Sequence, residues 1–176
     1  MLKYIFSLSL VMFFLGCSTL RVQNDYDEGF DFNKVKYYTV KHNVRVGENT
    51  LLNDRITAAL ENIFDTKGYK KSDLQKADLI FVYHYNVKDR VDIQTDYQMV
   101  GVRRYRFGGS MMATTTTYRY KEGTIIVDAL DKKSNKIVWR SIGVLEIQEQ
   151  DTPQERKAYV FKIIKELMQK FPSKLK

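Results

Sequence analysis

Apolar and polar residues alternate from Leu79 to Ile93. Leu79, Phe81, Tyr83, Tyr85, Val87, Val91 and Ile93 share one parity, interrupted by Asp89, while His84, Asn86, Lys88, Arg90 and Asp92 share the other. Successive strand side chains point to opposite faces, so this spacing predicts a long strand with one buried and one wet face. Ile80 and Val82 make the second face apolar too, which predicts a more enclosed start. The β-branched and aromatic run Val35–Val40 predicts a shorter strand. Leu20, Val22 and Tyr26 alternate as a first strand would, with turn residues over Asp25–Gly29. Between Tyr118 and Leu130 the parity slips: Tyr118 and Tyr120 are even, whereas Ile125, Val127 and Ala129 are odd. A β-bulge at Gly123 would return all five to one face. Asp131–Lys136 reads as a hairpin loop and Ile137, Trp139, Leu145 and Ile147 as the inward set of a last strand, so the sheet is expected to be mainly antiparallel.

Two stretches change to a helical period. Leu52, Ile56, Leu60, Ile63 and Phe64 form one stripe over 51–67, with Thr50 as N-cap, Gly68 at the end, and Asn53, Arg55, Thr57, Glu61 and Asn62 on the polar side. Thr152-Pro153-Gln154-Glu155 is a capping-box start, followed by the apolar face Val160, Ile163, Ile164, Leu167, Met168 and Phe171 and a stop at Pro172. These elements predict an α+β domain: a two-layer sandwich with a mostly antiparallel sheet of four or five strands and two main helices, near 51–67 and 153–171, on one face. The other face is expected to be open and partly aromatic.

The N-terminus has a different character. Met1-Leu2-Lys3 is a short positive start, and Tyr4–Leu15 is a 12-residue stretch without charge. That is too short for the roughly 20 residues of a spanning helix and suits the core of a signal peptide. Phe14-Leu15-Gly16-Cys17 resembles a bacterial lipoprotein signal, in which the cysteine is lipidated and becomes the new N-terminus. One modified cysteine carrying several acyl chains anchors a protein stably, whereas a single chain binds only marginally. The expected organisation is a signal peptide over 1–16, the lipidated Cys17 with a short tether over 17–24, and a single domain over 25–176. Ser18, not an Asp, follows the cysteine, which by resemblance to sorting signals favours the outer membrane facing the periplasm. Membrane lipid, through acylated (palmitate-bearing) Cys17, is then the first expected partner.

Length and composition bound the rest. The 176 residues suffice for one core after signal removal, and 44% hydrophobic with 28% charged residues fits a folded domain. The formal charge is +8, and since Lys3 is the only charged residue before Cys17, the mature part keeps +7. For an exported chain without a reader motif, no nucleic-acid partner is expected. One cysteine allows neither an internal disulfide nor a CxxC site.

The segment Gln94–Thr117, between the two long strands, contains VGVRRYRFGG, two methionines and four consecutive threonines. Arg103, Arg104 and Arg106 interleave with Tyr105 and Phe107, a mixture able to grip anions and stack on flat groups. Two readings stand. Either the strands extend into a long twisted hairpin with Gly108-Gly109 at its turn and the arginines solvated, or the segment is a binding loop made of those five residues.

Catalytic signatures are missing. His42 and His84 are the only histidines, no HxxxH or other regular ligand spacing surrounds them, and there is no GxSxG, P-loop or GxGxxG, so no metal and no cofactor are expected. The acids Asp25, Asp27, Glu28 and Asp31 cluster before the second strand, and Asp128 stands alone. Paired carboxylates can do acid/base work when they converge. A solvated turn and an outward strand position explain them more cheaply.

Several stretches together resemble the bacterial lipoproteins carrying the domain of unknown function 4136. They are Asp25-Tyr26-Asp27 with Asp31-Phe32 and Lys36-Tyr37-Tyr38, Arg55-Ile56 with Lys67-Gly68-Tyr69, and Ala77-Asp78-Leu79 leading to Tyr83-His84. Glu122–Asp128, Val138-Trp139-Arg140, Pro153 with Arg156, and Phe171-Pro172 complete the set, with Ser141 standing where that family commonly has Gly. The resemblance implies an envelope lipoprotein with a compact α+β domain and lends no catalytic residues. The expectation is a non-catalytic envelope module that binds a partner protein, a cell-wall polymer or an amphiphile through the 94–117 segment and the open sheet face. Two alternatives are kept: a hydrolase of envelope polymers working through Asp25–Asp31 or Asp128, and a lipoprotein whose only role is to occupy an assembly.

Overall fold

The computed structural model describes residues 20–42, 47–100 and 110–174. Cys17 and the signal segment lie outside them, as do Arg103, Arg104, Tyr105, Arg106 and Phe107. The elements are β1 (Arg21–Tyr26), a 3-10 turn (Phe32–Lys34), β2 (Tyr37–Lys41), α1 (Thr50–Thr66), β3 (Lys70–Lys71), β4 (Leu79–Val100), β5 (Ser110–Asp131), β6 (Ile137–Glu146) and α2 (Pro153–Leu167). They form one six-stranded sheet in the order β1-β6-β5-β4-β2-β3, with α1 and α2 packed on one face. The α+β class and the two helices stand as expected. The strand count and sense do not: there are six strands, and β2 runs parallel to both β3 and β4. α1 carries the chain back across the sheet from β2, a crossover long enough to permit parallel pairing. β3 is two residues long and leaves no periodic trace. β1 also draws residues 21–24 into the sheet, so the ordered unit begins ahead of residue 25.

The core is the helix side of the sheet. Tyr38, Leu79, Phe81, Tyr83, Ile125, Val127, Ala129 and Trp139 meet Ile56, Leu60, Ile63 and Phe64 of α1 and Ile164, Leu167, Met168 and Phe171 from α2 and its exit. Phe171 has ring contacts with Phe32, Phe64, Tyr69, Phe81 and Trp139 at centroid separations of 5.3–5.7 Å. Two buried strand tyrosines reach under α1. The Tyr38 hydroxyl lies 3.0 Å from the Asp65 carboxylate, and that of Tyr83 donates to the Asn53 carbonyl at 3.1 Å. Burial, reinforced by Asp65, pushes the Tyr38 phenol well above its ordinary pKa.

Helix starts follow local chemistry. Thr152 and Glu155 form the reciprocal capping box, with Thr152 N–H donating to the Glu155 carboxylate at 3.0 Å and Glu155 N–H to the Thr152 hydroxyl at 3.2 Å. At α1 the cap is Asn49, whose side chain accepts from Leu52 N–H, and Thr50 is the first helical residue. Gly68 adopts φ +86°, the left-handed conformation that ends a helix at little cost for glycine. Asn53, expected on the polar side of α1, is buried, and its amide has no partner among the described residues.

Two strand expectations are corrected. No bulge occurs at Gly123, because β4 and β5 pair without a register shift from Leu79–Asp131 to Val100–Ser110. Tyr118 and Tyr120 therefore sit on the face opposite Ile125, Val127 and Ala129. The irregularity lies in the β5–β6 pairing between Ala129 and Leu130, which leaves Val138 and Trp139 both buried and Ile137 exposed. The open face is also aliphatic over the body of the sheet, with Ile80, Val82, Ile126, Leu130, Ile142 and Val144 half-buried. Tyr37 of β2 lies on this face near the sheet edge, and Tyr118 and Tyr120 lie on it farther out.

The helix side of the sheet gives the first testable expectation. Phe64→Ala should lower unfolding free energy by about 3–5 kcal/mol, as emptying a large buried ring site does. Val91→Ala, far out on β4, should change it by less than about 0.5 kcal/mol. Urea unfolding of the two variants measures the contrast, and equal losses would contradict this placement of the core.

Candidate functional site

At one end of the sheet the two helices leave a gap. α1 and α2 both begin there, and their C-terminal ends meet at the other end, where Tyr69 O–H donates to the Pro172 carbonyl and Lys67 Nζ to that of Phe171 at 2.7 Å. The gap is a cleft of about 510 Å³, within the range of small-molecule sites. Its walls are Leu52 and Ile56 of α1, Val160 and Ile163 of α2, and Tyr85, Ile125 and Leu145 of the sheet. Gly123 lies at the floor, where a Cβ would sit 3.1 Å from the Ile147 side chain, so the glycine lets Ile147 pack over it.

The mouth is polar. Arg55 of α1 is half-buried on the wall and Arg156 of α2 is exposed at the rim. Arg156 is already committed, since its Nε donates to the Gln150 carbonyl at 3.0 Å. No carboxylate among the described residues pairs with Arg55 within ion-pair distance. The Tyr85 hydroxyl is buried at the cleft with no hydrogen bond of ordinary geometry, and burial raises its pKa. Two helix N-termini open toward the same place, and their partial positive ends favour an anion there. Glu149 and Asp151 line the same mouth, so chemically the cleft offers an apolar slot with a polar mouth of both charges.

Next to it, on β2's exit, His42 stacks on Tyr83 with centroids 4.3 Å apart. Its Nδ1 lies 3.2 Å from the Tyr83 carbonyl and its Nε2 3.0 Å from Glu48. Both ring nitrogens thus already face acceptors within the protein. The pair staples the start of α1 to the sheet. His84 is exposed on the opposite face.

The acids do not converge. Asp27 accepts from Gly29 N–H at 2.9 Å, and Asp31 caps the 3-10 turn by accepting from Asn33 N–H at 3.1 Å. Lys34 and the turn N–H hold the Asp31 carboxyl below its usual pKa. Asp128 is buried on the open sheet face because Arg140 covers it, donating from Nε at 2.6 Å and from the second guanidinium nitrogen at 2.7 Å. This bidentate pair is structural, and the hydrolase reading gains no paired carboxylates from it. Among the described residues no three His, Cys, Asp or Glu side chains group as metal ligands.

The segment expected as a loop over 94–117 is mostly strand: β4 and β5 pair out to Val100 and Ser110, so only 101–109 lie between them. The hairpin arm therefore exists, and its arginine-rich stretch falls outside the described residues. The cleft itself was missed in the sequence. Its one legible trace was Gly123 within a β-branched strand, which reads as either a bulge or a close approach.

A family model described as Domain of unknown function (DUF4136) matches residues 22–173. No curated protein matches the chain. Among solved structures, a PDZ domain protein from Parabacteroides distasonis ATCC 8503 is similar at 14% identity with a TM-score of 0.59, covering 97% of this chain. The chain spans only 40% of that protein's length. A PelC dodecamer subunit from Paraburkholderia phytofirmans is similar at 9% identity with a TM-score of 0.52, covering 88% of this chain and 98% of that one. At these identities the likeness concerns the fold alone. No helix among the described residues is long and apolar enough to cross a membrane.

The Asp128–Arg140 pair gives the second expectation. Arg140→Ala should destabilise the domain by about 1–3 kcal/mol, because it strands a buried carboxylate. The double variant Arg140→Leu with Asp128→Leu should recover most of that loss. Thermal unfolding tests it, and an unaffected single variant would contradict the pairing.

Proposed function

We propose that this chain, which belongs to the family described as Domain of unknown function (DUF4136), is a non-catalytic envelope lipoprotein that holds an amphiphile with one acyl-sized tail and an acidic head. The observation that carries the reading is the cleft of about 510 Å³, apolar inside, with Arg55 outside ion-pair distance of any described carboxylate at a mouth it shares with Arg156, Glu149 and Asp151. An acyl chain gains roughly 0.8 kcal/mol per methylene removed from water, so walls of Leu52, Ile56, Leu145, Val160 and Ile163 supply affinity without directed bonds. Arg55 supplies the discrimination, since a carboxylate or phosphate head pairs with a guanidinium more strongly than a neutral head does. The anchor is lipid on Cys17, and Ser18 after it favours the outer membrane facing the periplasm. Of the expected partner classes, partner protein, cell-wall polymer and amphiphile, the amphiphile suits this cleft best, because a polymer needs a long polar groove.

Displacement of a fluorescent fatty acid by oleate, measured on the detergent-purified full lipoprotein, tests the cleft. Gly123→Val, which fills the floor, and Arg55→Glu, which reverses the charge at the mouth, should each weaken oleate binding by about tenfold or more, the size of one charge-assisted contact. Arg55→Glu should retain the wild-type unfolding midpoint within a few degrees, whereas Gly123→Val also crowds Ile147 and lowers it. Unchanged affinity in both would sink the reading. For the anchor, Cys17→Ser should move the protein out of the membrane fraction, and mass spectrometry should find acyl mass on the wild type only.

A further inference from the structure

The same end of the sheet that opens the cleft also receives the N-terminal tether and sends out the arm. Arg21 pairs with Val144, Val144 with Thr124, and Thr124 with Asn86, so β1 begins level with the point where β4 and β5 leave the body of the domain. Cys17 is four residues before Arg21, a reach of at most about 13 Å. From Val87 to Val100 the arm runs on for roughly 40 Å at strand rise. Given the anchor on Cys17, on which this step rests, an arm about three times longer than the tether cannot project from that end without meeting the bilayer.

A single copy cannot cross the bilayer. Beyond Ile147, whose N–H donates to the Lys121 carbonyl at 2.8 Å, the β5 edge has no partner strand among the described residues, beyond Val82 the β4 edge has none either, and open edges are not tolerated in hydrocarbon. What remains is to lie along the surface, and the two faces of the arm differ in the required sense. One carries Val87, Val91, Ile93 and Tyr97, exposed by 48%, 58%, 64% and 67%, with the cations Arg119 and Lys121 and the single acid Asp89. The other carries Lys88 and the acids Asp92, Asp96 and Glu122, with Arg90 tied to Glu122 at 2.8 Å, and exposes Met112 and Tyr118 among them. A two-stranded ribbon is marginal alone in water, and this one shows an uncovered apolar stripe edged by positive charge. We infer that the Val87–Tyr97 face of the β4–β5 arm rests on the surface of the bilayer that holds the lipid anchor. Val87 also lines the cleft, so the arm sets the cleft mouth against the membrane from which an amphiphile would enter.

Site-specific labelling of the full lipidated protein tests this. Lipidation consumes the only native thiol, so Ile93→Cys and Gln94→Cys, neighbours on opposite faces, can each be tagged with an environment-sensitive fluorophore. The protein is floated on vesicles of zwitterionic and anionic phospholipid carrying an acyl-chain quencher. The Ile93 label should shift to the blue and be quenched, while the Gln94 label keeps its aqueous spectrum. Two aqueous, unquenched labels on floated, acylated protein would overturn the arm placement and leave the anchor standing. So would an Ile93 blue shift that ignores the lipid quencher and grows with protein density, since a second copy would then cover the stripe. Protein that carries no acyl mass and fails to float would overturn the anchor reading and this inference with it. Ile93→Asp should abolish the blue shift of a label placed at Val91→Cys without moving the unfolding midpoint, because both positions are exposed.

Discussion

The fold hangs on one meeting of rings. Phe64 and Phe81 stack with centroids 3.9 Å apart, and Phe171 packs edge-on against both. These residues come from α1, β4 and the exit of α2, so the contact ties both helices to the sheet at one end. Aromatic pairs add about 0.5–1.5 kcal/mol beyond the area they bury. Polar ties close the same end. The half-buried Lys67 ammonium, its pKa lowered by desolvation, sits on the carbonyls that follow α2, and Lys174 N–H donates to the Lys67 carbonyl at 2.8 Å. Tyr69, its phenol pushed up to about 12 by burial, donates there too. Ser141 adds a bond from beneath, its hydroxyl donating to the Leu167 carbonyl at 2.8 Å where a glycine would leave that carbonyl without it.

Closing one end so firmly has a consequence at the other. Two helices over a twisted sheet cannot touch along their whole length unless large side chains fill the wedge between them. Here the wedge is bounded by Gly123 and by moderate aliphatic residues, and it stays open as the cleft. Gly143 marks the transition: a Cβ there would lie 3.0 Å from both Leu167 and Leu20, so the body of the domain is already packed to contact at that level. Beyond it β4 and β5 continue without helices, and apolar positions that would be core lower down become the exposed stripe of the arm.

The strand alternation was legible because a period of two records which face a residue occupies. It could not record whether anything covers that face. Leu79, Phe81 and Tyr83 share a parity with Val91 and Ile93, yet the first three are buried and the last two exposed, since the helices end where the sheet still runs on. The same blindness turned two tyrosines into evidence for a bulge. Tyr118 and Tyr120 lie on the far face and satisfy themselves locally, stacked at 5.7 Å with the Tyr118 hydroxyl donating to Glu146.

By itself the sequence determined the class of fold, the two helices and the capping box of α2, because each depends on neighbours within a few positions. Its apolar start and lone cysteine also raise the expectation of an anchor there. Only the tertiary structure decided that β2 runs parallel, that Asp128 is ion-paired with Arg140, and that a cleft, the start of β1 and an arm share one end of the sheet. Those facts depend on which distant segments become neighbours, and pairing across a sheet is set by the packing of the whole, not by any local run of residues.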